Sequence, residues 1–315
     1  MVSLADTSAD AHRAMLESCA LVDRSERGKL ALTGGEAKEF LHGQVSNDIE
    51  GLEPGSGCYA AFLTPKGKML GDLRVLDTGE ELLLDCERGA LQELFNMIRR
   101  FKLGRDVELH KRTLERGLLS LVGPGARAVA GDVPAAEHAH RAAELGGAPV
   151  RLIATDTGVD VLCAAEDTEP VRAALLAAGA VPADEAAAEI RRVETGRPRF
   201  GIDMDESVIP QEAGLNERAV SFTKGCYVGQ ETVARLYYRG KPNRHLRGLR
   251  LDGPAETGDA IVLGEREVGR LGSVVESPSL GWIALALVRR EAEPGATVTA
   301  GDRTATVVDL PFAQA

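Results

Sequence analysis

The chain has 315 residues, 44% of them hydrophobic, and carries a formal net charge of -11. That is globular composition with enough length for two or three domains. The acidic balance argues against nucleic-acid binding through a basic footprint, and no apolar run reaches the length of a transmembrane helix, so neither direct nucleic-acid binding nor a membrane is expected.

The five cysteines, Cys19, Cys58, Cys86, Cys163 and Cys226, are odd in number and widely spaced, with no CxxC pair. A zinc ribbon or a thioredoxin-type motif is therefore not expected, and reduced thiols of a cytosol are. The start MVSLADTSADAHRAML lacks a basic segment followed by an apolar one. No signal peptide is read there, and the cytoplasm is the expected location.

In chain order, Gln44-Val45-Ser46-Asn47-Asp48 follows a short helix as a polar turn. Thr64-Pro65-Lys66-Gly67-Lys68 is a tight basic turn leading into a strand, and Asp72 lies near that strand's start, where a carboxylate can point into a cleft. Residues 72–103 read strand, turn, strand, helix: 73–76, the turn Asp77-Thr78-Gly79-Glu80, 82–86, then a helix with Leu91, Leu94, Phe95 and Ile98 on one stripe. After a strand at 118–122 comes the turn Gly123-Pro124-Gly125, and 126–148 reads as a surface helix and loop. Residues 150–179 repeat the earlier order around Asp156-Thr157-Gly158, with a helix from about Pro170 to a stop at Gly179. The repeat is either structural or coincidental, since hairpin-plus-helix units are common. If structural, it suggests two ferredoxin-like α+β domains.

A further helix is predicted over 184–195, stopping at Gly196, and another from Gln230 to Arg239, with Gly240 as its C-cap and Pro242 forbidding continuation. Beyond Arg244, short apolar stretches at 246–251, 260–263, 272–275, 283–288, 297–298 and 304–308 are separated by Gly, Pro and Asp. That pattern predicts a small β-barrel or sandwich.

Three features carry possible chemistry. Cys226 sits in the glycine-flanked run Lys224-Gly225-Cys226-Tyr227-Val228-Gly229-Gln230-Glu231. A nearby cation and a helix start both favour a thiolate; the alternative is a small buried thiol filling a tight turn. Glu194 closes its helix, where a carboxylate is disfavoured, and either meets a ligand such as a pterin ring or pairs with Arg191 or Arg197. The acid-free run Arg235, Arg239, Lys241, Arg244, Arg247, Arg250 binds a phosphate or polyanionic tail, or is a solvated helix end and barrel strand. His42 and His245 have no partner at metal spacing, and the usual hydrolase, zincin, P-loop and Rossmann motifs are absent from the sequence.

The octet KGCYVGQE at 224–231 resembles the signature of the YgfZ family of folate-binding proteins, relatives of the glycine-cleavage T-protein. The segments Phe40 to Asp48, Leu63 to Lys68, Glu194-Thr195-Gly196-Arg197-Pro198 and Ile209-Pro210-Gln211-Glu212-Ala213-Gly214-Leu215 resemble further blocks of that family, in the same order. The resemblance implies a three-domain α+β cloverleaf, two ferredoxin-like domains plus a C-terminal β-barrel, around tetrahydrofolate or a derivative. The expected domains are 1–112, completed by 185–240, then 113–184, and the barrel at 241–315. Glu194 matches the glutamate that holds the pterin; Lys224, Tyr227, Gln230, Arg235 and Asn47 are expected as further folate contacts, and Cys226 as the functional thiol. Asp72 lies in Gly71-Asp72, where T-proteins carry an Asp-Asp pair with the catalytic aspartate. Cys226 and Gln230 point to the YgfZ branch, since T-proteins usually have no cysteine in the octet.

The leading expectation is a folate-binding accessory protein with iron–sulphur enzymes as clients, including a tRNA-modifying one. The rivals are a tetrahydrofolate-dependent aminomethyl or one-carbon transferase and a non-folate interaction scaffold.

Overall fold

A computed structural model describes residues 4–312 of the chain. It opens with α1 (Leu4–Glu17) and β1 (Ala20–Asp23), then β2 (Gly28–Thr33), α2 (Ala37–Gln44), β3 (Gly57–Leu63), β4 (Met69–Asp77), β5 (Leu82–Cys86), α3 (Leu91–Phe101) and β6 (Glu108–Lys111). The middle of the chain holds β7 (Arg116–Val122), α4 (Ala126–Ala130), β8 (His140–Leu145), β9 (Ala148–Ala154), β10 (Gly158–Ala164), α5 (Thr168–Ala177), β11 (Val181–Ala183) and α6 (Glu185–Glu194). Two helices follow, α7 (Asn216–Ala219) and α8 (Gln230–Arg239). The last six strands are β12 (Arg244–Leu251), β13 (Ala260–Leu263), β14 (Arg266–Ser277), β15 (Gly281–Arg289), β16 (Thr297–Ala300) and β17 (Arg303–Val308).

The strands form three sheets, and the fold class is the expected α+β with a C-terminal barrel. A five-stranded sheet has the order β3-β4-β5-β2-β6, a six-stranded sheet has β11-β1-β7-β10-β9-β8, and the last six strands close into a barrel. The hairpin-plus-helix repeat is physical. Val75 faces Leu84 across β4 and β5, Val161 faces Leu152 across β10 and β9, and a helix follows each pair. The segment 126–148 differs from its reading as helix and loop. Its second half is the edge strand β8, whose alternating burial comes from Ala, Arg and Glu, so it lacks the β-branched signal that marks a strand.

Contacts divide the chain into two compact units. The first comprises residues up to Phe62 with Asp72–Ala188; the second comprises Leu63–Gly71 with residues from Glu189 onward. Within the first unit, Leu76 and Leu83 of one sheet pack with Leu118, Ile153 and Leu162 of the other. Arg74 is buried beside that seam and bonds Asp85 at 2.9 Å on its own sheet and Asp160 at 2.7 Å on the other. β1 belongs to the six-stranded sheet, antiparallel to β7 and parallel to β11, and α1 covers it with Ala187 and Ala188.

In the second unit, the barrel is filled by Leu249, Ile261, Val268, Ala284, Ala286, Val298 and Val307, inward residues contributed by all six strands. Val193 of α6 packs with Leu246, Ile283, Leu285 and Phe312. Among the described residues, no helix is long and apolar enough to cross a membrane.

Candidate functional site

The octet and the TPKGK turn meet backbone to backbone in the second unit. The turn is closed by Gly67 N–H donating to Thr64 O at 2.8 Å and Thr64 N–H donating to Lys68 O at 2.7 Å. Gly229, the residue before α8, has φ +87, and a Cβ there would stand 2.6 Å from Thr64 O and 3.1 Å from the Gly67 Cα. Gly67 in turn has φ +73 and faces Thr232 and the Gly229 carbonyl. Both glycines are thus required by left-handed backbone and by close approach.

That contact fixes the loop bearing the thiol. Cys226 is exposed, while Cys19, Cys86 and Cys163 are buried and Cys58 is half-buried. The reading of Cys226 as a buried turn-filler is therefore overturned. Burial pushes the Cys86 thiol up to about 12 and Cys19 up to about 11, so these two are protonated and inert at neutral pH. The helix begins four positions after Cys226, and Gln230 at its first position donates its N–H to Tyr227 O at 3.2 Å. Tyr227 is buried, which pushes its phenol up to about 12, and the Lys224 ammonium lies 5.0 Å from its ring centroid. Arg235 is exposed on α8, whose buried residue is Val233. Two positions further along α8, Tyr237 stacks on Phe222 with ring centroids 3.8 Å apart.

Glu194 is buried at the end of α6, and the αL residue Gly196 (φ +70) turns the chain away. Ser277 donates to Glu194 Oε1 at 2.7 Å and Arg191 donates to Oε2 at 3.2 Å. The salt-bridge alternative with Arg191 is thus present. The central block has a structural task of its own. Glu212, buried, accepts from Arg244 Nε at 3.1 Å and Nη2 at 3.0 Å, and its carbonyl accepts from Leu246 N at 2.8 Å. This two-pronged pair ties the loop to the first barrel strand.

In the first unit, Asn47 and Asp72 are joined through Tyr59. Asn47 Nδ2 donates to Tyr59 O at 2.8 Å, and the Tyr59 hydroxyl bonds Asp72 Oδ2. Asp72 Oδ1 is buried without a hydrogen-bond partner. Burial pushes Asp72 up to about 6 from 3.8, against the pull of the Tyr59 hydrogen bond. Tyr59 is the functional candidate that sequence reasoning missed. The signal was available, because folding β3 and β4 about the turn at 64–68 brings positions near 59 and 72 to the same level.

A carboxyl with a raised folded pKa costs stability in its charged form. The contribution of Asp72 to stability should be most favourable below about pH 4, fall as pH rises toward 6, and level off above. Asp72→Asn is expected to match wild type near pH 4 and to exceed it by up to about 3 kcal/mol at pH 8. Urea denaturation at the two pH values checks this.

A paired α+β core with a closed C-terminal barrel and a glycine-locked thiol loop defines the class. Residues 2–224 match the family model of the GCVT N-terminal domain, and residues 244–314 match that of the glycine cleavage T-protein C-terminal barrel domain. The chain belongs to this glycine-cleavage T-protein family. It is 29% identical over 308 residues to a putative chloroplastic transferase of Arabidopsis thaliana, covering 93% of this chain and 71% of the relative. It is 29% identical over 316 residues to an aminomethyltransferase of Rubrobacter xylanophilus, covering 96% of this chain and 85% of that one. The crystal structure of glycine cleavage system aminomethyltransferase T from Bartonella henselae superposes with a TM-score of 0.87 at 22% identity, covering 97% of this chain and 89% of that one.

Proposed function

We propose that this chain is a folate-binding member of the YgfZ branch of its family, a cytoplasmic accessory protein for the assembly or repair of iron–sulphur enzymes, including one that modifies tRNA. The observation that carries the reading is Glu194, a buried carboxylate held by Ser277 and Arg191, which the resemblance matches to the glutamate that holds the pterin. A carboxylate accepts hydrogen bonds at two oxygens, which is the chemistry that a ring presenting adjacent N–H donors calls for. Tetrahydrofolate, when bound, supplies a one-carbon carrier.

The chain's residues do the holding. Glu194 takes the pterin. Lys224, Tyr227 and Gln230 line the thiol loop, and Arg235 offers a cation to the glutamate tail. Cys226 presents the exposed thiol. A single thiolate does not hold an iron–sulphur cluster, which takes about four ligands, so it serves transiently with a client. Cys226→Ala is expected to abolish rescue of iron–sulphur enzyme activity in a host lacking the gene while leaving folate affinity within about twofold, well under the tenfold that 1.4 kcal/mol represents. Full rescue by the variant would end the thiol role.

A second reading, a tetrahydrofolate-dependent aminomethyl or one-carbon transferase, is favoured by a separate observation. Asp72 has a buried oxygen without a partner beside Tyr59, and a pKa near 6 suits a general base. The relatives' names, putative transferase and aminomethyltransferase, point the same way. Steady production of methylene-tetrahydrofolate from an aminomethyl donor, lost in Asp72→Asn, would replace the accessory reading with this one.

A further inference from the structure

We propose that the barrel carries a second binding site, an anion pocket for a phosphate-bearing small molecule of about nucleotide size, where β12 begins and β15 ends. A cavity of about 590 Å³ opens there, lined by Lys241, His245, Arg247, Arg289 and Arg290, with Glu291 and Glu293 on the turn beyond. That volume is within the range of small-molecule sites, roughly 300–1,000 Å³, and well above what one inorganic phosphate fills.

β12 and β15 are antiparallel, with Arg244 at the start of β12 opposite Arg289 at the end of β15. His245 and Arg247, two positions apart, fall on one face of β12, and Arg289 reaches the mouth from the strand end. Arg290 N–H donates to Asn243 O at 2.9 Å, which brings the end of β15 alongside the residues that follow α8. Four cations therefore gather at one mouth in a chain of net charge -11.

Their internal compensation is thin. Arg247 reaches Asp309 at 3.4 Å, and Arg289 reaches Glu291 at 3.8 Å while Arg266 holds that same carboxylate at 3.0 Å. Among the described residues, neither Lys241 nor Arg290 has an ion-pair partner. Arg290 meets Glu291 only through longer-range charge, so more cations than carboxylates gather at the mouth; that excess disfavours the folded state, and a bound anion reverses it. Three guanidinium forks suit phosphate oxygens, which they meet in two-pronged fashion. Burial and the charge of Arg247 both lower the His245 pKa, so the ring is neutral at pH 7 and donates an N–H without adding to the repulsion. The acidic chain and the short span of the basic cluster favour a small ligand over a nucleic-acid strand, which needs an extended basic track.

The test is calorimetric titration of the full chain with pyrophosphate and, separately, with adenosine diphosphate. Wild type is expected to bind both saturably at one site. Lys241→Ala with Arg290→Ala should weaken each by about a hundredfold, two charge-assisted contacts at roughly tenfold apiece. Arg303→Ala, a barrel arginine that bonds Pro254 O outside the pocket, should bind as wild type does. A thermal-shift series with pyrophosphate guards against a misfolded double variant, because its melting point without ligand shows directly whether it folds. No saturable binding by wild type at millimolar ligand, or equal weakening in Arg303→Ala and the double variant, overturns the proposal.

Discussion

Arg74→Ala is expected to cost about 3–5 kcal/mol of folding stability. Arg74 is buried between the two sheets and donates to Asp85 and Asp160. Its removal leaves Asp160 held by the Ser120 hydroxyl at 2.6 Å, while Asp85 keeps Arg27 at 2.8 Å. A buried carboxylate stripped of its cation carries the desolvation cost that the pair offset. Arg74→Lys restores the charge but not the fork that spans both acids, and should recover only part of the loss.

The same cluster sets a pH response. Burial pushes Asp85 upward, but Arg27 and Arg74 outweigh it and hold its pKa below the usual carboxylate value. A depressed carboxyl stabilises the fold above its unfolded pKa of about 4 and loses that contribution as pH falls through its folded pKa. Wild-type stability should therefore decline below about pH 4, and more shallowly in Arg74→Ala. Urea denaturation at pH 7 and pH 3 measures both effects. A loss under about 1 kcal/mol at pH 7 would be no more than an ordinary surface pair gives, and would contradict the account.

Gly229→Ala is expected to cost about 3 kcal/mol and to loosen the thiol loop. Roughly 1 kcal/mol comes from placing a side chain at φ +87, and the rest from the Cβ pressing on the Thr64 carbonyl and the Gly67 Cα. Both neighbours are backbone and cannot rotate away. Gly89→Ala, at a glycine with nothing within 4 Å of the added Cβ, is the control and should stay within about 0.5 kcal/mol. A two-state melt of each variant, with alkylation rates at Cys226, reports the fold and the loop together. Equal stability of the two variants would show that the octet and the TPKGK turn are not locked as described.

Much of the fold was legible because its signals are local. The span of α8, 230–239, follows from a glycine at each end and a proline two positions beyond, and the barrel strands from apolar runs cut by Gly, Pro and Asp. The repeat was visible because both hairpins use the same Asp-Thr-Gly turn. What was not legible depends on partners far away in the chain. β1 gives no hint that it pairs with β7 and β11 instead of its sequence neighbours, and β8 looks like a loop because its alternating positions carry alanine.

The candidate site was half legible. The octet, the TPKGK turn and Glu194 announce themselves as motifs, but the glycine-to-glycine lock that joins the first two appears only in three dimensions. Arg191 was named as a partner for Glu194; Ser277, 83 residues on, was not. The clamp on Asp203, which accepts from Arg192 at 2.8 Å and from Ser273 N at 2.7 Å, carries no sequence signature at all.

The central claim is that this family fold holds folate through Glu194. Calorimetric titration of wild type, Glu194→Ala and Glu194→Gln with tetrahydrofolate and its 5-formyl analogue tests it most directly. Saturable binding by wild type is predicted, with affinity falling by about 2–3 kcal/mol, roughly 30- to 150-fold, in both variants. Glu194→Gln keeps the packing and one acceptor oxygen, so a loss in that variant reports the carboxylate and not the fold. No binding by wild type at millimolar ligand, or equal affinity in all three proteins, would contradict the claim.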